Sequence, residues 1–251
     1  MIKVVNFKSV RKVEILPKRI NLFIGGANSG KSNLLEAVGF ISWLGHGGEL
    51  KDYVRMNVMP DLFYMRNHDV TMMIDARGLS TRLEFRNGVY RVWVSPWEES
   101  SWWYYYLDHD GRIIGKWIEQ KVENEMLGAS RKYKYYRFSA DRNTRVVSLD
   151  GILLRPFRGK LLPPYGDNLE QTILNAMDSN CCGLNITFDG LEDRVRINSF
   201  PLVSMSESTK SLLFHMAAIE SNRKAVIAFD EPEAHMDPRD VQYLAERIAL
   251  D

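Results

Sequence analysis

Two cysteines in 251 residues, adjacent at Cys181 and Cys182, cannot build a disulfide framework, and a reducing, cytoplasmic setting is expected. Charge of one sign is missing as well. Lysine plus arginine nearly balance aspartate plus glutamate, for a net charge of +1, so any attraction to nucleic acid or an anionic surface must come from a local patch. No apolar run approaches the roughly 20 residues that cross a bilayer. The start, Met1 to Phe7, alternates like a strand and lacks a signal-peptide core, so no membrane partner is expected. Internal repeats, low-complexity tracts and an obvious interdomain linker are also absent. What remains is a chain with 45% hydrophobic residues, enough for a real core and read here as a single domain over 1–251.

The most informative stretch is Gly25-Gly26-Ala27-Asn28-Ser29-Gly30-Lys31-Ser32, a complete G-x-x-x-x-G-K-S phosphate-binding loop. Glycines sit where the backbone must turn sharply and approach phosphate oxygens. The N–H groups of such a loop point at the β-phosphate, Lys31 bridges the β- and γ-phosphates, and the Ser32 hydroxyl binds Mg²⁺. Context strengthens the match. Arg19 to Ile24 is a strand-like run before the loop, and Ser32-Asn33-Leu34-Leu35-Glu36-Ala37-Val38 starts a helix after it. That helix adds its own partial positive charge at the anion. ATP with Mg²⁺ is the expected ligand pair.

Short strand-like runs recur from about 70 to 138, with tight-turn signals at Asn87-Gly88 and Asp110-Gly111. Five of the six tryptophans fall there, so an antiparallel, aromatic β subdomain is expected over about 70–140. Asp167 with Glu170 then reads as a capped helix start, followed by a hairpin over Leu184–Phe188 and Asp193–Ile197. Residues 208–220 predict an amphipathic helix. Lys224 to Phe229 predicts a buried strand, apolar on both faces, and Asp237 with Pro238 opens a last helix.

The buried strand runs into Asp230-Glu231-Pro232-Glu233-Ala234-His235. Beside a phosphate loop, a carboxylate at a strand end can hold Mg²⁺ through water, which suits Asp230. The next carboxylate, Glu231, can polarise the attacking water. Acidic residues after strands also occur merely as solvated or capping groups.

The head "NFKSV", the loop "GGANSGKSNLLEA", "YGDNLEQTIL", "SMSESTKSLL" and "AVIAFDEPEAHMDP" stand in the order found in ABC-type ATPases. The chain resembles the branch with RecF, SMC heads and OLD-like proteins, the AAA-21 or AAA-15 type. This resemblance implies an α/β P-loop NTPase fold, an ABC-ATPase-like head with a mixed central sheet and an antiparallel β subdomain. It implies ATP-dependent head-to-head dimerisation, in which Ser206 presents the signature hydroxyl to the partner's nucleotide. By the same resemblance, nucleotide contacts extend over Gly25 to Asn33, Glu231 and Lys31 are catalytic, Ser32 and Asp230 serve Mg²⁺, and His235 lies near the dimer interface. The family usually has glycine where this chain has Ser208, and a further core strand with a switch histidine is expected but absent before Asp251. The implied output is ATP hydrolysis, slow without that histidine, in DNA maintenance or defence against mobile elements. The alternatives are a nucleotide-gated binding module with negligible hydrolysis, or an incomplete head completed by another chain.

A nucleic acid or protein partner has two further sequence signals. Arg131-Lys132-Tyr133-Lys134-Tyr135-Tyr136-Arg137 interleaves basic and aromatic residues, as phosphate contacts plus base stacking require. Plain strand alternation, with solvated charges on one face, produces the same pattern and is the preferred reading. Trp97 to Tyr106 suits either an interface or the core of the β subdomain.

Overall fold

The computed structural model describes residues 1–95, 103–117, 127–138, 186–189, 194–197, 200–201, 206–222 and 224–250. The chain divides into two compact units, Met1–Tyr135 and Tyr136–Asp251. The fold is mixed α/β.

In the first unit, β1 (Ile2–Phe7) and β2 (Val10–Ile15) form an antiparallel hairpin. β3 (Met72–Ala76) pairs with the other edge of β1. The meander then continues through β4 (Leu79–Arg86), β5 (Val89–Ser95), β6 (Trp103–Leu107) and β7 (Ile113–Trp117). The result is one seven-stranded antiparallel sheet ordered β2-β1-β3-β4-β5-β6-β7. The aromatic strands thus share a sheet with the N-terminal hairpin. Turn chemistry sets the register: Asn87 and Gly88 both take positive φ, 52° and 80°, as a two-residue hairpin turn requires. At the β6–β7 turn the Asp108 carboxylate accepts from the N–H groups of Asp110 and Arg112, both at 2.9 Å.

Period-two alternation gives this sheet a dry face. Val4, Ile74, Leu83, Val92, Trp103 and Leu107 are fully buried on it. The helix α1 (Lys31–His46) is buried along its length from Glu36 to Gly45. Trp43 of α1 meets Tyr105 of β6 with ring centroids 5.7 Å apart. Gly39 is required by close approach, because a Cβ there would lie 2.4 Å from the Tyr53 carbonyl oxygen.

In the second unit, β9 (Ile186–Asp189), β10 (Arg194–Ile197) and β11 (Phe200–Pro201) make a small antiparallel sheet, so the expected hairpin forms. The helix α2 (Glu207–Ser221), β12 (Val226–Asp230) and α3 (Pro238–Leu250) follow. β12 pairs with β8 (Tyr133–Arg137), whose last two residues belong to this unit. Tyr136, Phe214 and Ala218 form a buried cluster, with Phe138, Ile227 and Phe229 packed against it.

Two expectations differ from the structure. Arg19 to Ile24 is not a strand: it carries no sheet assignment, and Leu22 and Ile24 are 81% and 85% exposed. Its apolar composition suits a sheet, but among the described residues no strand pairs with it, and a lone strand cannot satisfy its backbone. β12 is also less buried than a sheet centre. Val226 is half exposed, because among the described residues only β8 pairs with β12. The helix expected after Asp167 lies outside the described residues. Among those described, no helix is long and apolar enough to cross a membrane.

Candidate functional site

The glycine-spaced loop over residues 25–30 leads straight into α1, whose first residue is Lys31. Gly30 caps the helix in the left-handed region, with φ 92°, where a side chain would be strained. Its Cα is also crowded, since a Cβ would meet the Ser9 hydroxyl at 2.9 Å. Asn28 takes φ 61°, which asparagine tolerates better than most residues. A Cβ at Gly25 would meet the Ser29 hydroxyl at 2.9 Å, whereas one at Gly26 would meet nothing within 4 Å. Gly30 is therefore needed by the loop itself, whereas a side chain at Gly25 would require the Ser29 hydroxyl to turn away. Gly26 keeps open space beside the chain that a side chain would fill.

The Lys31 ammonium curls back over this loop. It donates to the carbonyls of Gly25 and Gly26 at 2.7 and 2.8 Å and lies 3.4 Å from the Ser29 hydroxyl. Gly25 to Ser29, Ala27 included, are exposed, while Ser32 and Asn33 are half-buried in the first turn of α1. The Asn33 side chain is turned to another task, donating to the Ser9 hydroxyl at 2.8 Å.

The head "NFKSV" braces this helix. Glu36 is wholly buried and takes an ion pair from Lys8 on one oxygen and from Arg55 on the other. Lys8 also donates to the Arg55 carbonyl at 2.5 Å. Burial pushes the Lys8 ammonium below its usual lysine range, and the Glu36 carboxylate opposes that shift. Removing one partner from such a buried cluster would strand the other charge, at a cost of about 3–5 kcal/mol. Lys8, Ser9 and Asn33 line an open cleft of about 750 Å³, together with Lys51, Arg55 and Arg66. The sequence gives little warning of it, since the basic residues of 50–68 show no period.

At the far end of α1, His46 is held neutral. Its Nδ1–H donates to the Ser42 carbonyl at 2.8 Å, and its Nε2 accepts from the Lys134 ammonium at 2.8 Å. Burial, then the Lys134 charge, lower its pKa to about 4. Helix C-termini favour cationic histidine, but here burial, with the Lys134 charge beside it, outweighs that preference. The basic-aromatic run 131–137 is thereby accounted for. Tyr133, Tyr135 and Tyr136 are buried, Arg131 donates to the Gly45 carbonyl at 2.9 Å, and the buried tyrosines are not placed to stack on bases.

In the second unit the two consecutive carboxylates have opposite environments. Asp230 ends β12 buried, with the Arg137 guanidinium 4.0 Å away. Glu231 takes φ 51°, a left-handed kink that ends the strand and leaves its side chain exposed. Its carbonyl accepts from the Ala234 N–H at 3.0 Å, closing a turn. His235 is exposed, also at positive φ, with its ring 6.2 Å from that of Phe138.

Ser206 is the N-cap of α2, and its hydroxyl accepts from the Thr209 N–H at 3.1 Å. Ser208 does more than stand in for a glycine. Its hydroxyl donates to the Asp240 carboxylate and accepts from the Asp237 N–H at 2.7 Å. It thereby ties the start of α2 to the start of α3. The sequence missed a further group. His215 on α2 is fully buried against Phe214 and Phe229, with Nδ1–H donating to the Ser211 carbonyl at 2.7 Å. Burial lowers its pKa to about 4.

The residues named from the sequence thus fall in two sets. Gly25 to Asn33 are contiguous in the first unit; Ser206, Asp230 and Glu231 belong to the second. No family model matches the chain, and no curated protein matches it.

Proposed function

We propose that this chain is an ABC-type P-loop ATPase, which binds ATP with Mg²⁺ and hydrolyses it through ATP-dependent pairing of two copies. The observation that carries the reading is the loop itself. A complete phosphate-binding sequence enters α1 at Lys31, with the Lys31 ammonium folded over the Gly25 and Gly26 carbonyls and open space at Gly26. An ammonium held against backbone carbonyls can move to phosphate oxygens with little reorganisation, and the helix N-terminus adds favourable N–H groups.

The first unit supplies phosphate binding: the backbone of Gly25 to Ser32, the Lys31 charge and the Ser32 hydroxyl. The second supplies Asp230 and Glu231. The hydroxyl and the carboxylate are hard oxygen ligands of the kind Mg²⁺ takes. When bound, Mg²⁺ neutralises charge on the transferring phosphate. Glu231, exposed at the strand end, is the general base that accepts a proton from the attacking water. Ser206 contributes its helix start to the partner's nucleotide. The setting, DNA maintenance or defence against mobile elements, is proposed by family resemblance alone.

The test is ATP hydrolysis per molecule across a wide range of protein concentration. The expected rate per molecule rises with concentration and falls on the order of 100-fold or more in Glu231→Gln, which still binds ATP. Lys31→Ala is expected to lose ATP binding. Background turnover with ATP still bound would replace this reading with a nucleotide-gated binder. Failure to bind ATP would end both.

A further inference from the structure

The face of the seven-stranded sheet opposite the dry one has its own chemistry. Register places residues in rows across the strands. One row runs from Arg82 on β4 through Trp93 on β5 and Tyr104 on β6 to Trp117 on β7. The next runs from Glu84 through Arg91 and Tyr106 to Gly115. The first row sets one cation beside three rings; in the second, Arg91 lies between Glu84 and the single ring of Tyr106. Tyr104 and Trp117 are stacked, 5.1 Å apart with 14° between their planes, and Trp93 meets Tyr104 edge-on at 4.9 Å. The Arg91 guanidinium lies over the Tyr106 ring at 5.4 Å.

Aromatic side chains buried in a core would carry no ligand, so exposure decides. Trp117 is 52% exposed on an edge strand, and Trp93, Tyr104 and Tyr106 are half-buried. Gly115 leaves the Tyr106 ring uncrowded from β7, since a Cβ there would already touch it at 3.4 Å. The carboxylate of these two rows, Glu84, is engaged by the Trp93 indole N–H at 3.0 Å and by Arg86 at 3.1 Å. Among the described residues of these two rows, two arginines, Arg82 and Arg91, stand against one carboxylate, Glu84.

We propose that this sheet face binds single-stranded nucleic acid, with bases stacking on the outer face of Trp117 and on the Tyr106 face that Gly115 leaves open, Tyr104 backing Trp117, and the phosphates held by Arg91 and Arg82. Flat rings on a β-sheet offer a stacking surface for any base, and guanidinium groups beside them meet the backbone. A duplex hides its base faces and gains nothing from the rings. A protein partner also uses tryptophan and tyrosine, but the arginines set among the rings favour a polyanion. The inference rests on the sheet and not on the nucleotide reading, so either can fail alone.

The experiment is fluorescence anisotropy of labelled oligothymidine and oligouridine of about 20 nucleotides, against a duplex of equal length, without ATP. The full chain is expected to bind single strands in preference to duplex, more weakly as salt rises. Quenching of tryptophan fluorescence should accompany binding. Trp117→Ala and Tyr106→Ala should each weaken binding roughly 5- to 100-fold, while Trp117→Phe and Tyr106→Phe retain most of it. Arg91→Gln should weaken it and flatten the salt dependence. Circular dichroism and thermal unfolding establish that each variant folds, and the Phe pair keeps the test decisive should an Ala variant not. No binding of any single strand by the wild-type chain would overturn the proposal and leave the face to a protein partner. Equal affinity for duplex, or Ala variants that fold and bind normally, would overturn it too.

Discussion

At the residue scale, the buried His215 and the half-buried His46 show how environment outweighs residue type. His215 has a lipophilic surround and a single backbone partner; His46 has a partner on each ring nitrogen, one of them a cation. Both are held neutral, with pKa values near 4 instead of 6.5. The sign of the consequence follows from linkage. Above pH 6.5 the folded and unfolded forms are both neutral at these sites, and the stability is fully present. As pH falls from 6.5 towards 4, the unfolded chain takes up protons that the native one refuses, and stability is lost through that window. For His215 the whole loss is roughly 3 kcal/mol, at about 1.4 kcal/mol per pH unit. Urea unfolding at pH 7 and pH 5 should therefore show a larger drop for wild type than for His215→Leu. Equal drops would mean that His215 titrates normally in the fold.

At the element scale, the helix starts carry the most information. Gly30 opens α1 at positive φ, and Ser206 opens α2 with a hydroxyl cap. Both were legible as motifs. What the sequence could not show was that Ser208, two residues after the cap, joins α2 to the start of α3 through Asp240 and the Asp237 N–H. A glycine at this position would have neither bond. Ser208→Ala and Ser208→Gly are both expected to destabilise the second unit by about 1–3 kcal/mol, since an N–H and a carboxylate lose their partner. Thermal unfolding of the two variants measures this. An unchanged midpoint would make the serine a passive replacement. The strands of the sheet were readable because alternation and Asn-Gly turns are local. Arg19 to Ile24 was misread because its β-like composition speaks to propensity, while strand formation needs a neighbour to pair with.

At the scale of the whole molecule, the proposed ATPase makes a claim about assembly. Two copies should pair when ATP is bound and separate when it is spent. Glu231→Gln, which holds ATP without turning it over, is expected to run as a dimer with ATP and Mg²⁺ and as a monomer without them. Sedimentation velocity at a fixed protein concentration reads this directly. A monomer in both conditions would exclude the head-to-head arrangement, leaving ATP binding to be judged separately.

The sequence by itself determined the glycine-spaced turn before α1, the helix that follows it, the alternating strands of the sheet and the capped helices near the C-terminus. Each is encoded within a few residues, by glycine spacing, period-two hydrophobicity or a capping side chain. Tertiary structure alone decided that the aromatic strands continue the N-terminal hairpin, since β1–β3 pairing spans more than 60 residues. It also decided that Lys8 and Arg55 neutralise Glu36 beneath α1, and which face of β6 meets α1, through Trp43 and Tyr105. Those outcomes depend on which distant groups meet, and no local pattern carries that information.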